Sequence, residues 1–224
     1  MNEEGVRLAK RVAAMLPCSR AEAERYIAGG WVTVDGEVAE DPAIRVTGQQ
    51  QVVLLEGAAA TEIEPVTILL HKPAGADAVA ALNLITPDNL EGRDRFLKRH
   101  LSRLTHILPL EMAASGLLVF TQHGGLARRL TDKAQPYEQE YLVDVSGQMP
   151  EGGLALLNRG LKVSWQTPTR LRFAGKGIAP GQVEKLCRSM GLGVSAIRRT
   201  RIGRIAVTGL QPGQWRYLGE RERF

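Results

Sequence analysis

Apolar residues recur at helical spacing at Leu8, Val12, Met15 and Leu16, which predicts a short amphipathic helix over 6–16. Arg7, Lys10 and Arg11 fall together on another face, at i, i+3 and i+4. Pro17 ends this helix. Ser19 then opens a second one with Glu22 three residues on, an S-x-x-E capping box. Ala23, Tyr26 and Ile27 supply its core side, and Gly29-Gly30 stop it. The period next changes from helical to alternating. Val32 and Val34 alternate with polar residues, Asp35-Gly36 is a tight-turn signal, and QVVLL at 51–55 gives a further strand. Residues 57–64 lack any periodicity and read as a linker. The expected division is a small domain over 1–57, a linker over 58–64 and a larger domain over 65–224.

In the larger domain, VTILL after Pro65 reads as a buried strand running into His71-Lys72-Pro73-Ala74-Gly75. SGLLVFT, at 115–121, is a second buried strand, followed by a helix with Leu126 and Leu130 inward. YEQEYLVDVSG alternates as a strand, 150–158 suggests a short helix, and LRFAG another strand. Pro180 begins a helix to Met190, with Val183, Leu186, Cys187 and Met190 at i, i+3, i+4 and i+7. That spacing makes Cys187 a core residue.

The composition narrows the function without deciding it. Hydrophobic residues are 44% and charged residues 24%, a globular balance. Lys and Arg outnumber Asp and Glu by 29 to 24, so the net charge is +5, which suits a polyanionic partner. The most basic stretch, over 91–103, holds Arg93, Arg95, Lys98, Arg99 and Arg103. Two cysteines, Cys18 and Cys187, make no disulfide framework, and four scattered histidines offer no ligand spacing, so no metal site is expected. Nothing resembles a signal peptide and no apolar run could span a bilayer, so the expected compartment is the cytoplasm and no membrane partner is expected.

The chemistry-bearing stretch lies over 103–125. Glu111 sits in a short segment, EMAAS, just before the buried strand. A carboxylate on a loop entering such a strand can be a nucleophile or base, or simply a solvated loop acid. The stretch resembles the central motif of bacterial ribosomal-RNA pseudouridine synthases, approximately G-R-L-D-x-x-T/S-S/Q-G-L-L-x-L-T-N-D-G. Aligned without gaps on Ser115-Gly116-Leu117-Leu118 and Gly124, the family's catalytic Asp falls on Glu111, its Arg on Pro109, and its Leu on Leu110. Lys72-Pro73-x-Gly75 resembles the family's K-P-x-G turn. Q-E-Y-L-V resembles its E-K-E-Y-x-V segment, which places the site tyrosine on Tyr141 and Gln139 where a Lys is usual. Gln182 and Val183 match R-x-x-Q-V-R/K-R-M-F, where the basic site residue falls on Glu184 and the next basic residue is kept as Lys185. The closing R-x-R-I-G and L-x-P-G-x-W-R-x-L match as well.

The first domain resembles the alpha-L RNA-binding module. Arg7-Leu8, Cys18-Ser19-Arg20, Glu22-Ala23, Ile27, Gly30, Val32, Val34 and Asp35-Gly36 match it, while Ala21 stands where another Arg is usual. The resemblance makes Arg7, Lys10, Arg11, Arg20 and Arg25 candidate phosphate contacts, joined by Arg93, Arg95, Lys98 and Arg99 of the second domain.

Together these resemblances imply an α+β chain: the alpha-L module, then a pseudouridine synthase-like domain with a mixed, mainly antiparallel sheet. They imply a monomer acting on ribosomal RNA or a precursor ribosomal subunit, with no cofactor or metal. The reaction breaks a uridine's N-glycosidic bond, turns the base and rejoins it through carbon, on a base splayed out of the RNA. Glu111 and Tyr141 are the implied site residues, with Arg103, Glu184 and Lys185 as supporting candidates. Glu111 is one methylene too long, and Glu184 replaces the cation that pairs with the catalytic Asp by a like charge. Lys185 faces roughly 100° away from Glu184 on an ideal helix. Two readings stand: a synthase with Glu111 in place of Asp, or a non-catalytic RNA-binding protein on the same fold, such as a ribosome assembly factor.

Overall fold

A computed structural model describes residues 5–224. They divide into two compact units. The first runs to Pro65 and also takes Leu97–Ser102; the second comprises Val66–Phe96 and Arg103–Phe224.

In the first unit, strand β1 (Val6–Arg7) pairs antiparallel with β4 (Arg45–Val46). This pairing corrects the expected start of the first helix: α1 is Leu8–Met15, because the backbone of Val6 and Arg7 is held in a ladder. Leu8 and Val12 are buried as expected, but Met15, in the last turn, is 47% exposed. Helix α2 (Arg20–Ala28) carries the expected capping box: Ser19 Oγ accepts the Glu22 N–H at 3.2 Å, and Glu22 accepts the Ser19 N–H at 2.8 Å. Strands β2 (Val32–Val34), β3 (Glu37–Ala39) and β5 (Val52–Leu54) form a sheet in the order β3-β2-β5. The β2–β3 turn uses left-handed backbone at both Asp35 and Gly36, the geometry that favours Asp-Gly. Leu8, Val12, Ala23, Ile27, Val32 and Val46 form this unit's core.

The six residues Leu97–Ser102, expected within the larger domain, cluster with this first unit instead. The reason is local. Glu40 accepts the backbone N–H groups of Lys98 and Arg99, at 3.0 and 3.3 Å, where a 3₁₀ turn (Lys98–Leu101) begins.

The second unit is built on a nine-stranded sheet. Its strands are β6 (Thr67–Lys72), β7 (Thr105–Ile107), β8 (Ser115–Thr121), β9 (Glu138–Ser146), β10 (Lys162–Thr167), β11 (Arg170–Lys176), β12 (Gly193–Ile202), β13 (Ile205–Ala206) and β14 (Trp215–Tyr217). The order is β10-β11-β9-β12-β8-β6-β14, with β7 beside β8 and β13 beside β12. The β8–β12 pair is parallel and the other strand pairs are antiparallel, so the sheet is mixed and mainly antiparallel. The chain is therefore of the α+β class.

Helices α3 (Ala78–Leu82), α4 (Gly124–Thr131), α5 (Gly153–Leu157) and α6 (Gln182–Ser189) accompany the sheet. Strand β8 is the centre, buried on both faces: Leu118 and Phe120 enter one core with Tyr141, Val143 and Trp215, while Leu117 and Val119 enter another with Ile107, Leu130 and Ile202. Two-sided burial is why its sequence is a continuous apolar run rather than an alternating one. On β9, β11 and β12, Arg170–Asp144, Arg172–Glu140 and Arg201–Glu138 form ion pairs between strands. Helix α6 begins at Gln182 rather than Pro180, because Gly181 before it is left-handed, with φ 74°. Cys187 is buried in the core, and burial pushes its thiol up to about 11. Both cysteines are free thiols.

Gly116 decides how closely β8 and β12 approach. Its φ is 112°, and a Cβ there would sit 2.2 Å from the Arg199 carbonyl oxygen. Gly75, also left-handed, has nothing within 4 Å of such a Cβ. Gly116→Ala should therefore destabilise by roughly 3 kcal/mol or more, because backbone clashes with backbone. Gly75→Ala should cost only about 1 kcal/mol of backbone strain. Urea unfolding of the two variants checks this, and equal losses would contradict the close-approach role.

Candidate active site

The closing strand β12 brings a guanidinium into the interior. Arg199 pairs in register with Tyr141 of β9 and is 1% exposed. Its Nε donates to the Leu117 carbonyl at 2.9 Å, and its Nη2 to the Leu108 carbonyl at 2.7 Å. Its Nη1 reaches Gln139 Oε1 at 3.2 Å, the Pro109 carbonyl at 3.4 Å and the Tyr141 hydroxyl at 3.5 Å. Each of its three nitrogens meets an acceptor, three of the five acceptors lying around Nη1. None of them is a carboxylate. The charge is carried inside by dipoles, and one side chain ties together β8, β9 and the loop leading to Glu111.

That loop is shaped to meet it. Leu108 has left-handed backbone, φ 50°, which is uncommon outside glycine. In the gapless alignment it stands at the glycine of G-R-L-D. The family's arginine position, Pro109, offers Arg199 only its carbonyl.

Glu111 follows the buried Leu110, and its carboxylate accepts the backbone N–H of Gly181, at the start of α6. Gly181 has no side chain to cap that helix, so Glu111 serves as its cap, at the positive end of the helix dipole. Among the described residues, no Lys or Arg forms an ion pair with Glu111. Lys72 is the nearest thing to a partner. It is 1% exposed, and its Nζ donates to the carbonyls of Ala76, Met112 and Pro73, at 2.7, 3.1 and 3.0 Å. Burial pulls the Lys72 pKa down, while the Glu111 charge opposes this. Gly75 N–H also donates to the Met112 carbonyl, at 2.7 Å. The Lys72 turn thus fixes the residue after Glu111.

Tyr141 lies 5% exposed beneath this loop, its hydroxyl donating to Gln139 Oε1 at 2.9 Å. Burial raises the phenol's pKa, and the Arg199 charge works against that rise. Gln139 in turn reaches the Ile178 carbonyl at 3.5 Å. His106 stacks on Phe120 with ring centroids 5.3 Å apart, its Nε2 buried without a partner. Burial lowers its pKa, and Arg199 adds to the effect.

The expected supporting residues are placed otherwise. Glu184 turns to Arg188, one turn along α6, at 2.7 Å, so it is engaged apart from Glu111. Lys185 lines a surface cleft of about 490 Å³ with Pro180, Gln182 and Ser189. Arg103 is exposed before β7 and, like Lys185, makes no ion pair. The buried cations beside the site are Arg199 and Lys72, which sequence reasoning did not assign to it. Signals existed: Arg199 belongs to the noted R-x-R-I-G segment, and Lys72 ends the apolar run VTILLHK.

The basic residues of the first unit also regroup. Arg7, Lys10, Arg20 and Arg45 line one groove of about 390 Å³. Arg45 was missed because only the β1–β4 pairing sets it opposite Arg7. Arg11 does not share an open basic face: it is half-buried, with its Nε out of solvent and unpartnered. Arg20 pairs with Glu24 at 2.9 Å, and Arg25 approaches Glu62 at 3.9 Å. The basic run is split between units, with Lys98 and Arg99 in the first and Arg93 and Arg95 exposed in the second.

Residues 6–52 match the family model of the S4 domain. The chain is 28% identical to the dual-specificity RNA pseudouridine synthase RluF of Escherichia coli (strain K12), over 98% of this chain and 78% of that one. It is 29% identical to an uncharacterized RNA pseudouridine synthase, Rv1711, of Mycobacterium tuberculosis (strain ATCC 25618 / H37Rv), over 97% of this chain and 91% of that one. A crystal structure of a pseudouridylate synthase superposes with a TM-score of 0.60 at 18% identity, covering 96% of each chain. Over nearly its whole length the chain is similar to RNA pseudouridine synthases. These matches show an S4 domain followed by a pseudouridine synthase fold. Among the described residues, no group of three His, Cys, Asp or Glu could hold a metal ion, and no helix is long and apolar enough to cross a membrane.

Arg199→Met should destabilise the protein by roughly 3 kcal/mol or more, since it leaves the carbonyls of Leu108 and Leu117 buried and unpaired. Arg199→Lys keeps the charge but cannot reach all five acceptors, and should fall between. Urea unfolding gives the order, and a Met variant as stable as wild type would show that these bonds hold nothing.

Proposed function

We propose that this chain binds structured ribosomal RNA and that its synthase site turns over uridine slowly or not at all. The observation that carries this is the state of Glu111: its carboxylate caps α6 through the Gly181 N–H and has no side-chain cation as ion-pair partner among the described residues. The isomerisation needs a carboxylate free to meet the sugar or base and held in place by a cation. Misplacing a reacting group by ~1 Å can cost ~10²-fold in rate. The longer arm of Glu111 is itself a displacement of that order.

RNA binding is supported by the S4 match, by the RNA named in the relatives' descriptions, and by the Arg7, Lys10, Arg20 and Arg45 groove. The ribosomal target rests on the resemblance of the central motif. The protein acts as a monomer in the cytoplasm on this reading. A working synthase is the second reading, favoured by one observation: Tyr141, Arg199 and the left-handed Leu108 keep the site's frame.

Release of tritium from C5-labelled uridine in ribosomal RNA tests the two. Wild type should release little. Glu111→Asp alone should recover little, and adding Glu184→Lys should recover more than the single changes sum to, since residues sharing a site are not additive. Robust wild-type release would contradict the proposal. Separately, neutralising Arg7, Lys10 and Arg45 together should weaken RNA binding and flatten its salt dependence by about one unit per lost phosphate contact. An unchanged slope would remove the groove from the RNA interface.

A further inference from the structure

We infer that Arg199 is the positioning residue of this site: it sets the direction of the Tyr141 hydroxyl and fixes the loop that carries Glu111. The inference deepens the reading of the uridine site given above. Arg199 is not a substrate contact, because each of its three nitrogens is engaged by an internal acceptor and the side chain is 1% exposed.

Its partners are not a random set of core carbonyls. Leu108 and Pro109 lie three and two residues before Glu111, and their carbonyls are both held. Holding them keeps Leu108 left-handed and directs the chain into Glu111. Leu117 anchors the other end of the same loop, where it becomes β8. On the opposite side, Arg199 meets Tyr141 and Gln139 together.

There the geometry dictates the proton. The phenol oxygen accepts from Arg199 Nη1, so its own proton must go to Gln139 Oε1, at 2.9 Å. Gln139 is a neutral amide whose Oε1 can accept this proton; the Lys usual at this position has no acceptor and would repel Arg199. Gln139 in place of Lys therefore fits a site in which Arg199 is the cation bonded to the tyrosine hydroxyl among the described residues. The helix that carries the basic residue elsewhere in the family carries Glu184 here, turned to Arg188. Arg199 thus supplies the fixed positive field at the Tyr141 hydroxyl.

The test places trifluorotyrosine at position 141 in the full chain, so that its phenol titrates near neutrality, and follows it by fluorine NMR. Arg199→Met should move the midpoint upward by about one pH unit, because a buried phenolate loses its neighbouring cation. Loss of packing alone would move it the other way, toward the free amino acid, as water enters. A downward or absent shift overturns the inference. Should the Met variant not fold, Arg199→Lys serves: it keeps the charge but not the fork. Its midpoint should stay near wild type while amide exchange at Ala114 and Gly181, whose N–H groups bond to Glu111, speeds up at least tenfold. Unchanged exchange there overturns the inference too. Neither measurement uses RNA or turnover, so each can fail while the functional reading stands, and the reverse.

Discussion

A guanidinium buried among carbonyl groups is the constraint from which the second unit's site follows. Moving a charge out of water costs several kcal/mol unless its surroundings compensate, and each nitrogen of Arg199 is met by backbone carbonyls or polar side chains. The arrangement is possible only because Gly116 lets β12 lie against β8, which sets the Arg199 backbone where its side chain can reach Leu108, Leu117 and Tyr141. Remove the close approach and the carbonyls no longer converge. The left-handed Leu108, the inward Tyr141 and the path of the loop to Glu111 are consequences of the same packing.

Within that frame Glu111 is engaged by a helix start. A carboxylate at the start of a helix finds backbone N–H donors and the positive end of a dipole, and Glu111 takes up that place at α6. The role is stabilising in itself. It also ties the loop to the helix on which a cation is expected and Glu184 is found. Lys72 completes the local order by binding three carbonyls, among them that of the residue after Glu111. The site is therefore well organised and poor in cations that could meet a carboxylate on a substrate-facing side.

Much of this was legible in the sequence where a single local rule suffices. The capping box at Ser19, the Asp35-Gly36 turn, the buried strand at 115–121 and the inward Cys187 were each fixed by spacing and turn chemistry. What escaped depended on pairing between distant segments. The β1–β4 ladder shortened the first helix and moved Arg45 beside Arg7; Glu40 drew Leu97–Ser102 into the first unit. Arg199 escaped because an arginine in a strand reads as surface until the register sets it opposite Tyr141. The pairing of Glu184 with Arg188, one turn along the helix, was also not read from the sequence.

On the proposed reading, a chain with this fold and an S4 domain whose Glu111 is engaged at α6 recognises RNA while leaving the uridine unchanged. Mapping pseudouridine across ribosomal RNA from cells with and without the protein tests this most directly. The account predicts the same set of modified positions in both. A position lost on deletion, restored by the wild-type chain and not restored by Glu111→Ala, would contradict it.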